Sequence, residues 1–284
     1  MQSSGWISCA RDTITLKVVR LWIALGFVLL NGIAACAQDN YEIQVYGADT
    51  VAPHSTMVEL HSNFTVSGRK TVEDGLLPTN HACHETLEIT HGINDWFETG
   101  FYVFTSARSG NGWQWVGNHI RPRVRVPEKR KWPVGLSLSA EFGYQRRQFS
   151  VDTWTLELRP IVDKQAGRWY LSFNPTLEKA LVGQNAGKPF EFSPNFKASY
   201  DVTRKVALGM EYYGALGPIG TFDPLAEQEQ QIFPAIDLNV SPKWEINAGV
   251  GVGMTRNTDH LILKLILGYR FDHLPFRRRA QAVR

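Results

Sequence analysis

The side chains best equipped for chemistry gather in "HACHETLEITH", residues 81 to 91. His81, Cys83, His84, Glu85, Glu88 and His91 all carry atoms that a metal ion accepts. On a helix His84, Glu88 and His91 would share a face. On a strand His84 and Glu88 point one way while His81 and Cys83 point the other. The second histidine comes too late for H-E-x-x-H, and "TLEIT" favours a strand, so a polar cluster is expected and no metal is assigned. A second stretch, "NHIRPRVRVPE" at 118 to 128, sets Arg121, Arg123 and Arg125 at every second position. A period of two places His119 and the three arginines on one strand face, with Ile120, Pro122, Val124 and Val126 on the other. That row suits either a patch for a polyanion or a strand whose faces meet two different solvents. "GVGVG" at 249 to 253 lacks the G-x-G-x-x-G spacing that cradles a pyrophosphate, and no G-x-S-x-G elbow occurs. The reading is a protein without catalytic residues or cofactor.

The elements that carry these residues decide between the two readings of the arginines. "MVELHSNFTV" sets Val58, Leu60, Phe64 and Val66 against Glu59, His61, Asn63 and Thr65. "FEFSPNFKASYDV", "WEINAGVGVGM" and "HLILKLILGYRF" alternate in the same way. Twelve such runs fall near 57–66, 81–91, 96–106, 113–126, 134–147, 152–162, 168–180, 190–202, 206–216, 231–241, 244–255 and 260–271. Strands of soluble domains usually run about 5–6 residues, whereas a tilted strand needs about 9–11 to cross a bilayer. The connections alternate too. "GINDW", "DKQAG", "DVTRKV" and "SPK" are short and carry turn formers, while 67–80 and 217–230 are long. Trp96, Trp113, Trp115, Trp154, Trp169, Trp244, Tyr212, Tyr269 and Phe271 stand near strand ends, where aromatic girdles meet lipid headgroups. The expected fold is all-β: a transmembrane antiparallel up-and-down barrel of about 12 strands with a polar lumen. A soluble sandwich or lipocalin-like barrel, its apolar faces turned inward, is the competing reading.

The N-terminus agrees with export. Lys17 and Arg20 precede the apolar run "LWIALGFVLLNGIAA", and small residues Ala35 and Ala37 flank Cys36, as in a secretory signal peptide cut after Ala37. "IAAC" also has the form of a lipobox, which would leave Cys36 lipidated. Cleavage removes three of the 30 basic and one of the 27 acidic residues, so the mature chain is close to neutral. Cys83 is then its one cysteine, so an internal disulfide is excluded. The expected organisation is a leader over 1–37, a periplasmic lead-in or plug over 38–55, a barrel over 56–271 and a basic tail over 272–284. The final strand ends "YRF", which resembles the C-terminal aromatic signal read by the barrel-assembly machinery, although this chain continues beyond it.

With apolar faces toward lipid, charges must face the lumen, since an Arg or Lys at the midplane costs roughly 2–4 kcal/mol. The same parity gives the lumen Arg121, Arg123, Arg125, Glu88, Glu141, Glu157, Arg159, Lys197, Glu211 and Asp237. Either these charges pair across the barrel and hold its shape, or they form a narrow hydrated pore with the arginine strand as a solute-contacting wall. The partners are outer-membrane lipid, the assembly machinery and a small solute. Nucleic acid is excluded, because the basic residues line one inner face. "YEIQVYGADTV", "LPTNHACHETLEITHGINDWFETGFY", "IRPRVRVPE" and "FNPTLEKAL" resemble the phenol-degradation MetA-type porin-like outer-membrane family. The resemblance implies passive passage of small solutes, aromatic or hydrophobic ones among them. The expected function is an outer-membrane channel. The alternative is a non-conducting structural or ligand-binding barrel plugged by its own lumenal ion pairs.

Overall fold

Alternation at a period of two commits a strand to one greasy and one polar face, and twelve such strands leave no unpaired edge when they close into a ring. The computed structural model, which describes residues 40–272, does this with β1 (Thr56–Ser67), β2 (Cys83–Asn94), β3 (Phe97–Arg108), β4 (Gly112–Arg125), β5 (Gly135–Gln145), β6 (Asp152–Ala166), β7 (Trp169–Gly183), β8 (Glu191–Asp201), β9 (Val206–Ala215), β10 (Glu229–Leu238), β11 (Trp244–Gly253) and β12 (Leu261–Phe271). Each strand pairs antiparallel with its sequence neighbours, and β1 pairs with β12 to close the barrel, Glu59 lying opposite Gly268 and Asn63 opposite Lys264. The leader over 1–37 and all but the first residue of the basic tail lie outside the described residues.

The apolar faces point outward. Leu60, Ile89, Phe101, Ile120, Leu138, Phe173, Leu208, Val250 and Leu265 are exposed on the outer wall, while their strand neighbours Glu59, Glu88, Arg121, Ser139, Asn174 and Lys264 are buried inside. A soluble barrel would show the reverse, so the competing reading falls. Aromatic side chains form a rim at each end of the wall. Trp169 packs on Tyr200 and Trp244 on Tyr269 at one end; Phe142, Trp154, Tyr144 and Trp115 pack in series at the other.

Two ends follow from the chain's path. The connections after β2, β4, β6, β8 and β10 form a turn end, and those after β1, β3, β5, β7, β9 and β11 form a loop end. The turns are shorter than the sequence suggests. "DKQAG" belongs mostly to β6, which pairs with β7 up to Ala166–Trp169, so the turn itself is Gly167 and Arg168. Gly167 has φ 63°, the left-handed conformation that suits glycine there. "GINDW" is likewise strand as far as Asn94. The run expected from residue 81 starts at Cys83, because His81 sits in a turn with φ 57°.

The interior holds more than polar side chains. Residues 40–55 make no ladder pairing. They run through the ring from the loop end, where Asn40 bonds Asp259, to the turn end, where Gly92 donates to the Ser55 carbonyl. Three apolar clusters form around them: Ile43 and Val45 against Tyr213, Phe233 and Ile262; Tyr41 against Tyr102, Phe104 and Val116; and Tyr46 and Ala48 against Ile161. The hydrophobic core of this protein therefore lies inside its lumen, between the wall and the threaded segment.

Candidate functional site in the barrel lumen

A peptide that crosses a barrel without joining a ladder leaves its N–H and C=O groups to be satisfied by something else. Here the wall's side chains do it. Thr86 donates to the Tyr41 carbonyl at 2.6 Å and Lys264 to that of Ile43 at 3.2 Å. Asn174 accepts from the Tyr46 N–H at 2.8 Å, and Ser172 donates to the Tyr46 carbonyl at 2.6 Å. Asp163 accepts from Ala48 N–H and Glu98 from Val51 N–H, while Arg123 donates to the carbonyls of Gly47 and Asp49. These groups come from β2, β3, β4, β6, β7 and β12.

Tyr46 is the centre of the arrangement. Its ring lies 4.8 Å from the Arg121 guanidinium and 4.8 Å from that of Arg159, within the range of cation–π attraction. Its hydroxyl donates to the Glu42 carboxylate in the same segment. Arg159 bridges Glu42 at 3.3 Å and Glu157 at 2.7 Å. The anchor thus joins a phenol, two cations and their carboxylates, all buried except the half-buried Glu157.

Every lumenal residue expected from the sequence faces inward. Arg121 pairs with Glu88 and stands 3.7 Å from Glu98; Arg123 pairs with Glu98 at 2.7 Å; Arg125 pairs with Asp49 of the segment at 2.7 Å. Glu141 bonds His119. Lys197 pairs with Asp237 at 2.7 Å and with Glu211 at 3.3 Å, and Glu211 also takes Lys264. The ten residues therefore form two networks rather than one wall. One spans β2 to β6 and the segment, the other β8 to β12. The arginine row touches the segment directly and is spent on it.

Sequence parity left out the residues that complete the site. Glu98, Asp163, Ser172 and Asn174 hold the segment's backbone or its arginine anchors, and nothing in their local pattern marks them apart from other inward polar positions. The segment does carry a signal: "YEIQV" alternates like a strand, but without the length to cross or a turn to a partner. Among lumenal glycines, Gly251 has a stated use, since a Cβ there would lie 2.2 Å from the Phe233 ring.

The segment divides the interior. Between it and β4 to β8 lies a small cavity of about 60 Å³, lined by His119, Glu141, Glu157 and Arg159 among others. At the turn end a vestibule of about 580 Å³ is lined by Glu59, Glu88, Arg121, Arg123, Lys197 and Asp237 together with residues of the segment itself. The arrangement holds polar and charged groups around a threaded peptide.

Solved structures give the comparison. The COG4313 outer membrane channel from Pseudomonas putida F1 is similar with a TM-score of 0.54 at 11% identity, covering 81% of this chain and 100% of that one. A KdgM porin gives 0.46 at 10% identity over 76% and 99%, and Omp33 of Acinetobacter baumannii 0.40 at 12% over 78% and 100%. No protein-family model matches the chain, and no curated protein matches it in sequence. Fold and outward apolar wall together make it a closed twelve-stranded transmembrane barrel of the outer-membrane type.

Proposed function

We propose that this protein is an outer-membrane channel for a small solute, and that residues 40–55 are its resident plug. By the rule that such barrels keep short turns in the periplasm and longer loops outside, the vestibule opens to the periplasm. The observation that carries the reading is the way the segment is held. From Tyr41 to Val51 its main chain is bonded by side chains rather than by a strand ladder, with backbone bonds to the wall at His54 and Ser55 beside Gly92, so most of it can leave without unmaking the barrel. Its departure would uncover Tyr102, Phe104, Tyr213 and Phe233, the wall aromatics against which it now packs. That lining supports an aromatic or hydrophobic solute, the class implied by the resemblance to the MetA-type family. The pairing of the lumenal charges favours the second reading, a barrel that stays closed.

The test is conductance in a planar bilayer with a reversible lock. A Cβ built on Gly135 would lie 2.9 Å from that of Ala48, so Ala48→Cys with Gly135→Cys, in a Cys83→Ser background, can form a disulfide once the two backbones part by about an ångström and the Asp163 carboxylate swings aside. Discrete steps in the reduced protein that vanish on oxidation and return on reduction support a mobile plug. Steps unaffected by the lock sink the plug. Silence of the mature chain, and of a chain lacking residues 38–55 that still folds, sinks the channel.

A further inference from the structure

Among the described residues, one cluster inside the barrel gathers several unpartnered polar atoms in one place. Glu59 and His61 stand two apart on β1, and Glu88 lies directly across from Glu59 on β2, so all three point to the same patch of lumen. We infer that these three residues form a binding site for a divalent transition-metal ion.

Their donor atoms all lie within 4.8 Å of one another, and all three residues are buried. Within the cluster, Glu59 Oε1, Glu88 Oε2 and both ring nitrogens of His61 have no hydrogen-bond partner among the described residues. His61 Nε2 stands 3.5 Å from Glu88 Oε2, too long for a good hydrogen bond. Native interiors leave few such atoms without a purpose. Two carboxylates in cross-strand register also repel. Arg121 relieves only part of this, because it engages the other Glu88 oxygen and is shared with Glu98.

The surroundings are built to aim the donors. Thr90 donates to Glu88 Oε1 at 2.6 Å and Arg121 binds the same oxygen, so the carboxylate is held with Oε2 toward His61. Outer partners of this kind orient ligands in metal sites. Opposite Glu59 on β12 stands Gly268, where a Cβ would come within 3.0 Å of Glu59 Cγ and 2.5 Å of Met57 Cε. The missing side chain makes room for the glutamate. Glu59 and Glu88 line the vestibule, which gives an approach to the cluster from the turn end.

One imidazole with two carboxylates suits zinc or a similar ion at about 2.0–2.2 Å, with water in the remaining position, better than the all-oxygen shells of calcium or magnesium. Donors would close on the ion by about an ångström from their present spacing, a side-chain adjustment. The ion would tie β1 to β2 beside the strand pair that closes the barrel.

The experiment uses the untagged mature chain folded in detergent, stripped with a chelator that is then removed, and titrated with Zn²⁺, with metal content read after gel filtration. One equivalent is expected. Affinity should fall by at least the roughly 10- to 100-fold that loss of an outer-shell partner costs, in both Glu59→Gln and His61→Gln, and not in His84→Gln. Cobalt substitution in the unmutated protein guards against misfolded variants: strong four- or five-coordinate visible bands are expected. Substoichiometric zinc, undiminished binding in both variants, or only the weak bands of octahedral cobalt would overturn the site.

Discussion

At the scale of single residues, the lumen is an exercise in pairing buried charge. A buried cation whose partner is removed is costly, about 3–5 kcal/mol, because the remaining charge stays in place without compensation. Arg121→Met leaves Glu88 and Glu98 short of a cation, so we expect a loss of about that size in denaturant unfolding from micelles. Adding Glu88→Gln should recover part of it; a double variant as unstable as the single would show that the pair is not the cause. Arg123 makes a different prediction, because it donates to two carbonyls of the threaded segment. A hydrogen bond from a charged group contributes about 1.5–3 kcal/mol, so Arg123→Gln should raise the open fraction in bilayer recordings about tenfold or more. An unchanged open fraction would detach the arginine from gating. The inward direction of these residues was legible from alternation alone. Their partners were not: parity assigns a face, but pairing depends on register across strands up to dozens of residues apart.

At the scale of strands, the pattern in the sequence is strongest where two solvents meet the two faces and fades where they do not. Twelve runs were visible because hydrocarbon enforces alternation over about ten residues. The β6–β7 hairpin extends past that zone into water, where Lys164, Gln165 and Ala166 are exposed on a continuing ladder and read like a turn. Positions on the adjacent strands β11 and β12 make the asymmetry measurable. Leu265→Arg puts a charge on the lipid face and should cost about 2–4 kcal/mol in refolding equilibria with vesicles. A cost near zero would mean that this face does not meet hydrocarbon. Gly251→Leu acts on the inner face, where the added side chain meets the Phe233 ring. There the expected loss is about 1–3 kcal/mol from overpacking, read in the same assay.

At the scale of the molecule, barrel and segment are separable in a definite sense. None of the strand pairings uses residues 40–55, so a chain lacking 38–55 should keep its β content by circular dichroism and its heat-dependent gel migration. Its stability should nonetheless drop by a few kcal/mol. Burial of a large apolar side chain contributes about 1.5–3 kcal/mol, and Tyr41, Ile43, Val45 and Tyr46 are all buried, offset by the cost of ordering them. Complete loss of β structure would make the segment an integral part of the fold. The sequence offered two roles for it, lead-in or plug, and could not choose, since a lone amphipathic stretch has no partner until the ring around it exists.

That ring sets an order of events. The segment lies ahead of β1, whose pairing with β12 is the last seam between the two ends of the barrel. Asn40 sits at the loop end and Ser55 at the turn end, so the peptide passes through a hoop made from its own later sequence. A finished hoop has to be threaded from one mouth, tip first, past the Tyr102, Phe104 and Phe233 side chains. A peptide laid down while the seam is open needs only to be enclosed. The second route avoids the crowded passage, whereas a segment that has left the finished ring has to return through it, tip first.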